Sequence, residues 1–346
     1  MDKKPSLKIF STALKSGKGG ISTALVGYVS TMQDRVDLSF IDTHAEGSKL
    51  SRFWNAVKEA TKVKPSDYCW FHIGPWFSMV RKLFLICICH LKHATVISHL
   101  HSPRVYDYLS SRRYKWLLEL IVKLSDKVIV LTPWWKSLLT EAFPQYQDKF
   151  VISSNPADEQ LESLAMQDIR RKRGEKIKVL SMARLEVGKG VDKTVLAFKH
   201  LPENYTLTIA GTGNQEAELK QIIAENHLEH KVSMLGWIDY EEKTKLLSST
   251  DVFCLPSKLD SFGMVYIEAM AANLPIVALN YQAIPDVVPA FAGKLIDSDD
   301  ESTIAHAIIQ ASDMCFSDAN PKPSEFVMKK YNSEKITKEF LKNVCC

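Results

Sequence analysis

A chain of 346 residues, 46% hydrophobic and 24% charged, exceeds the usual size of one core, so two soluble globular domains are expected and a collagen-like or disordered chain is excluded. The formal net charge of +4 is unevenly spread: residues 1–155 carry 22 Lys and Arg against 12 Asp and Glu, and the remainder carries 22 against 28. Either this is random surface variation or the basic half attracts an anionic partner: lipid headgroups, nucleic acid or a phosphorylated substrate.

The longest apolar run, Leu83 to Leu91, is far shorter than the roughly 20 residues a spanning helix needs, and the basic start MDKKPSLKIF leads into a strand rather than a signal-peptide core. A cytoplasmic protein is expected, peripheral at most to the inner face of a membrane. Seven cysteines (Cys69, Cys87, Cys89, Cys254, Cys315, Cys345 and Cys346) include no CxxC pair and read as reduced packing thiols.

In chain order, LKIFSTAL is a strand, followed by a Gly-rich turn and a helix from about Ser22. VDLSFID, YCWFHI, ATVISHLH, KVIVLT and KFVISS continue the strands, with helical patterns between them. Such alternation predicts a parallel sheet covered by helices on both faces, a Rossmann-like domain. A polar stretch from Pro156 to Glu175 separates this series from a second one. There IKVLSMAR, YTLTIAG, KVSMLGW, DVFCLPS and LPIVALN read as strands, and TVLAFKHL, NQEAELKQIIAEN, YEEKTKLLSS and MVYIEAMAAN as helices. The expected division is residues 1–160 and 161–326, with a last helix within 327–346 packing back on the first domain. Ligands of open parallel sheets lie beyond the carboxyl ends of strands, so a cleft between the two domains is the expected site.

Four segments at strand ends bear on chemistry. LKSGKGGIST fails as a nucleoside-triphosphate loop because Gly19 and Gly20 follow Lys18. A Gly-Gly pair opening a helix still lets backbone amides approach an anion, and an unliganded tight turn accounts for it as well. ARLEVGKGVD sets Arg184 after a strand and Lys189 at the head of a helix, where two cations can neutralise a diphosphate or simply be solvated. DSFGMVYIEAMAA brackets a helix start with Asp260 and Glu268, two carboxylates able to accept from sugar hydroxyls. The DxD within DSDD (297–300) precedes a helix, so Asp299 or Asp300 reads as a cap and no metal is assigned. GTGNQE (211–216) is a Gly turn before a helix and not a dinucleotide fingerprint.

Together these segments resemble retaining glycosyltransferases of the family 4 type, which have the GT-B fold. The marker of two acids with seven residues between is matched by DSFGMVYIE, with Asp260 where Glu is usual. The phosphate clamp is matched by ARLEVGKG, with Ala183 and Gly188 where Gly and Glu are typical. LGWI, STDVFCLPS and IPDVV follow in the expected order, and KSGKGGIST, ISHLHS, KVIVLTPWWKSLL and ISSNPAD resemble the first domain less tightly. The resemblance implies that Gly19 and Gly20 approach the donor phosphate and that Arg184 and Lys189 clamp the diphosphate. It places Asp260 and the backbone at Phe262, Gly263 and Met264 on the donor sugar, Glu268 on the ribose, and the chain near Ile238 on the base. His101 takes the position of a cleft histidine near the sugar, with His99 as its competitor.

The implied activity is metal-independent, cofactor-free, retaining hexosyl transfer from a nucleoside-diphosphate sugar, a UDP-sugar first, to a glycan or lipid-linked acceptor in cell-surface polysaccharide or glycolipid synthesis. No nucleic-acid partner is expected. Two basic, aromatic segments, 81–93 and 111–123, suggest an anionic membrane surface as a further partner, although core helices with basic ends look similar. A nucleotide-sugar epimerase of the same fold and a non-catalytic glycosyltransferase-like binding subunit are the alternative readings.

Overall fold

The computed structural model describes residues 4–12, 20–44, 49–167, 169, 171–315 and 321–345. The chain divides into two compact units, one of residues 1–159 with 331–346 and one of residues 160–330.

The first unit is built on a six-stranded sheet of β1 (Ser6–Thr12), β2 (Asp37–His44), β3 (Asp67–Ile73), β4 (Thr95–Leu100), β5 (Lys127–Val130) and β6 (Phe150–Ile152). All pairs are parallel, in the order β2-β1-β3-β4-β5-β6. A parallel sheet must be covered on both faces, which is why β3 and β4 are buried along nearly their whole length rather than at alternate residues. The connections are α1 (Gly20–Met32), α2 (Lys49–Thr61), α3 (Trp76–Leu91), the short α4 (Val105–Ser110), α5 (Arg112–Leu124) and α6 (Pro133–Ala142).

The polar stretch that separates the two series contains a helix, α7 (Glu159–Met166), because Leu161, Leu164 and Ala165 share a buried face. The second unit repeats the architecture. Its sheet comprises β7 (Ile177–Met182), β8 (Tyr205–Ala210), β9 (Val232–Gly236), β10 (Val252–Cys254), β11 (Ile276–Leu279) and β12 (Gly293–Ile296), again all parallel, in the order β12-β11-β10-β7-β8-β9. Helices α8 (Val191–Ala197), α9 (Glu216–Glu225), α10 (Tyr240–Ser249), α11 (Met264–Ala271), α12 (Ile284–Val287), α13 (Glu301–Cys315) and α14 (Pro323–Tyr331) complete it. Strand β12 and helix α14 extend the series predicted from sequence. Asp300 caps α13, accepting from the Thr303 amide at 2.8 Å, and Asp299 pairs with Lys258, so the DxD is spent on structure.

The last helix, α15 (Ser333–Val344), returns to the first unit. Asn332 accepts from the Lys335 amide at 3.0 Å and starts it. Its apolar face packs on α1 and the sheet: the Phe340 ring lies 4.4 Å from that of Trp70 and 5.4 Å from that of Tyr28. Thr337 and Thr31 hydroxyls meet at 2.6 Å, and Arg35 pairs with Glu334. The division falls at Tyr331, a few residues beyond the expected 326/327 boundary. The reason is local: Tyr331 is fully buried and its carbonyl accepts the Ala157 amide at 2.8 Å. The six described cysteines are free, with Cys69, Cys89 and Cys254 buried.

Candidate functional site

In the second sheet the strand order reverses at β7, since β8 and β9 lie to one side and β10 to β12 to the other. The loops leaving the carboxyl ends of β7 and β10 therefore diverge, which is where open α/β sheets make room for a ligand. These two loops carry Arg184, Lys189 and Asp260.

The loop after β7 is held by its neighbours rather than by its own side chains. Ala183 and Leu185 amides donate to the Ala210 and Thr212 carbonyls, and the Lys258 amide donates to the Gly188 carbonyl at 2.8 Å. Two left-handed glycines shape it, Gly188 at φ 90° and Gly190 at φ 75°. Gly190 has a second reason to be glycine, because a Cβ there would run into the Pro256 carbonyl. The result delivers Lys189, buried, to the neighbouring loop: its Nζ donates to Asp260 Oδ1 at 2.7 Å, with both side chains only 11% and 12% exposed. Asp260 Oδ2 is also buried and accepts no hydrogen bond. Arg184 behaves differently. Its side chain is 65% exposed and donates to Glu186 at 2.8 Å, an ion pair of ~0–1 kcal/mol that a stronger anion can displace.

Beyond Asp260 the chain turns through Gly263, left-handed at φ 75°, into α11. A side chain at Gly263 would strike the Tyr266 ring, which is itself fixed by its hydroxyl donating to the Leu255 carbonyl at 2.8 Å. No side chain caps α11, so its first amides retain their partial positive charge for an external acceptor. Phe262, Gly263 and Met264 are buried around this helix start. One turn on, the buried carboxylate of Glu268 accepts from Lys243 Nζ of α10 at 2.8 Å. Ile238, half-buried, lies in the loop between β9 and α10, directly before a capping box in which Asp239 and Glu242 each accept the other's amide at 2.9 Å. Lys243 escaped sequence reasoning. Only its place in a polar helix was legible there, and its partner is 25 residues away.

In the first unit, Gly20 is the first residue of α1, and Gly19 falls outside the described residues. His101 follows β4 and its amide donates to the Ile73 carbonyl at 2.9 Å. His99 and His101 lie on one face of the strand, and His99 is in register with His72 on β3. Three imidazoles are thereby brought together, with His72 Nδ1 and His101 Nε2 2.9 Å apart. The two candidates from sequence separate here: His99 is wholly buried against the Trp70 ring, whereas His101 retains slight exposure. His72 could have been found from its position at a strand end.

Burial holds all three imidazoles below the ordinary histidine range, His101 down to about 3, and the nearby Lys82 acts in the same direction on His72 and His101. Lys82 is buried on α3, which pushes its ammonium down to about 7. The ring nitrogens come within 4.8 Å of one another, but neither nitrogen of His99 has the hydrogen-bond partner that orients a metal-ligating imidazole, and the Lys82 charge opposes a cation.

The basic segments 81–93 and 111–123 form much of α3 and all but the last residue of α5. About half of their aliphatic and large aromatic residues are core, among them Leu85, Ile86, Leu117, Leu118 and Ile121. The outward apolar residues instead begin earlier, at Phe77 and Val80.

Residues 163–321 match the family model described as glycosyl transferases group 1. An uncharacterised 41.2 kDa protein in the cps region of Klebsiella pneumoniae is 22% identical over 305 residues, which is 85% of this chain and 83% of that one. The amylovoran biosynthesis glycosyltransferase AmsK of Erwinia amylovora is 31% identical over 146 residues, 39% of this chain and 36% of its own length. Among solved structures, Anabaena HepE in complex with UDP and glucose superposes with a TM-score of 0.74 at 16% identity, covering 98% of this chain and 99% of that one. The chain thus has two Rossmann-like units with the elements of the GT-B fold, and residues 163–321 are similar to the glycosyl transferases group 1 model.

Proposed function

We propose that this protein is a retaining, metal-independent hexosyltransferase that moves a sugar from a nucleoside-diphosphate sugar to a hydroxyl of a glycan or lipid-linked acceptor. Cell-surface polysaccharide or glycolipid synthesis on the cytosolic side of a membrane is its setting. The observation that carries this reading is the ion pair of Lys189 with Asp260, which joins the two motif segments across 71 residues at the strand-order reversal of the second sheet. The polysaccharide role named for AmsK supports the setting, and the UDP and glucose bound to HepE support a uridine donor.

In this reading Arg184 and Lys189 hold the diphosphate. Lys189 has three donor hydrogens, so pairing with Asp260 leaves donors for phosphate oxygens. Arg184 gives up its weak contact with Glu186 for the same anion. As the bond from the anomeric carbon to the diphosphate breaks, negative charge grows on the leaving oxygens, and the two cations stabilise it with the amides at the start of α11. Asp260 accepts from the donor sugar, and the backbone at Phe262, Gly263 and Met264 lines the same position. Glu268, oriented by Lys243, accepts from the ribose, and Ile238 adjoins the base. His101 of the first unit, kept neutral by burial, can serve as a hydrogen-bonding rather than a charged group. The acceptor hydroxyl attacks the anomeric carbon on the face the diphosphate leaves, and its proton passes to the departing phosphate.

Incubation with a panel of nucleotide sugars, with and without a chelator, tests the reading by release of nucleoside diphosphate. Chelator-insensitive release from one donor is expected. Release that requires a divalent metal contradicts the mechanism, and interconversion of donor sugars without release identifies an epimerase.

A further inference from the structure

The outer surface of α2 and α3 carries side chains that neither the core nor the proposed transfer employs. Phe77, Val80, Phe84 and Leu91 of α3 are all exposed, Phe77 at 80% and Leu91 at 77%. At about 100° per residue, these four positions and the half-buried Ile88 fall on one narrow stripe, opposite the buried Met79, Ile86 and Cys89. The stripe runs about 21 Å from Phe77 to Leu91 at ~1.5 Å per residue. It continues onto α2, where the Phe53 ring lies 5.9 Å from that of Phe84 and the adjacent Trp54 is exposed. A contiguous apolar strip of this kind on a protein surface marks an interaction site.

Charge identifies the occupant. Helix α3 contains no acidic residue. Arg81 and Lys92 flank its stripe, and Lys58 is exposed on α2. The half of the chain that carries this face has an excess of ten positive charges, 22 against 12. In a symmetric contact between two copies these cations would be brought against each other. Anionic headgroups would neutralise them while the apolar strip enters the acyl boundary. No described helix is long and apolar enough to cross a membrane, so the contact lies in the interface plane.

We propose that the α2–α3 face is the docking surface for an anionic lipid bilayer. Phe77, Val80, Phe84, Leu91 and Trp54 insert at the headgroup boundary, and Arg81, Lys58 and Lys92 meet lipid phosphates. The purpose of docking rests on the reading of a lipid-linked acceptor; the docking itself does not. The segment 111–123 contributes only at its exposed Trp116 and basic start.

Flotation of the full chain with vesicles of phosphatidylglycerol and phosphatidylcholine, against phosphatidylcholine alone, tests the surface without donor or turnover. The chain should float with the anionic vesicles, less so as salt is raised, and the double substitution Phe77→Ser with Phe84→Ser should weaken partitioning about tenfold or more. Both side chains face solvent, so circular dichroism should be unchanged. A second variant, Lys58→Glu with Lys92→Glu, should lose the preference for anionic lipid. The proposal is overturned if the wild-type chain does not float, if the Phe variant floats equally, or if the Phe substitutions dissolve a dimer that never bound vesicles. Soluble release of nucleoside diphosphate by the Phe variant, unchanged from wild type, separates this result from a failure of the transferase reading.

Discussion

Lys82, His72, His99 and His101 are buried together in the first unit, and among the described residues no carboxylate forms an ion pair with any of them. Burial disfavours the charged form of each, so their folded pKa values lie below their unfolded ones. The unfolded chain then binds the extra protons, and stability rises with pH wherever the two states differ. For His101 that window runs from about 3 to the ordinary histidine value, and for Lys82 from about 7 to the ordinary lysine value. Replacing Lys82 by Met removes a charge that the folded chain must bury below about pH 7 and shed above it. Lys82→Met should therefore raise Tm by ~5 °C near about pH 6, with the gain shrinking toward about pH 10, where the unfolded lysine also begins to lose its proton. A thermal-melt series in which the gain does not depend on pH would count against this origin. None of it was legible in the sequence, where Lys82 reads as one cation of a basic run.

Helices differ in how openly they announce their partners. The spacing of Ile336, Phe340 and Val344 shows an amphipathic helix in the sequence, and its packing back on the first unit was part of the expected domain division. What spacing could not supply is the pocket it fills, against Tyr28 and Trp70. Phe340 is 1% exposed, so Phe340→Ala should cost ~3–5 kcal/mol, read as a lower denaturant midpoint of the first unit. A loss below ~1 kcal/mol would mean that α15 is not an integral part of that core. Strand β12 escaped sequence reading for a different reason. Gly293–Ile296 is four residues long and contains a lysine, and only its pairing with β11 makes it a strand. Gly293 is required there because a Cβ would meet the Ile276 backbone, a constraint created by packing rather than by local propensity. Helix α7 was hidden within a charged stretch, its three buried residues outnumbered by polar neighbours.

At the scale of the whole chain, alternation of strand and helix was enough to predict two parallel sheets, because strands buried on both faces leave continuous apolar runs such as Ile276–Leu279. The strand order was not legible, and it matters most for the site: the reversal at β7 explains why loops 183–190 and 255–263 carry the charged residues. Sequence spacing identified Arg184, Lys189, Asp260 and Glu268 as separate cations and acids. Folding pairs Lys189 with Asp260 and Glu268 with Lys243, so two of the cations act through buried ion pairs while Arg184 stays exposed. That Lys189 and Arg184 hold a diphosphate is tested most directly by calorimetric titration of UDP and of uridine into the wild-type chain and Lys189→Ala. The variant should lose about tenfold or more of its UDP affinity, as expected for one charge-assisted contact of ~1.5–3 kcal/mol, while its uridine affinity stays unchanged. Equal loss for both ligands, or undiminished UDP binding, would contradict a phosphate clamp at Lys189.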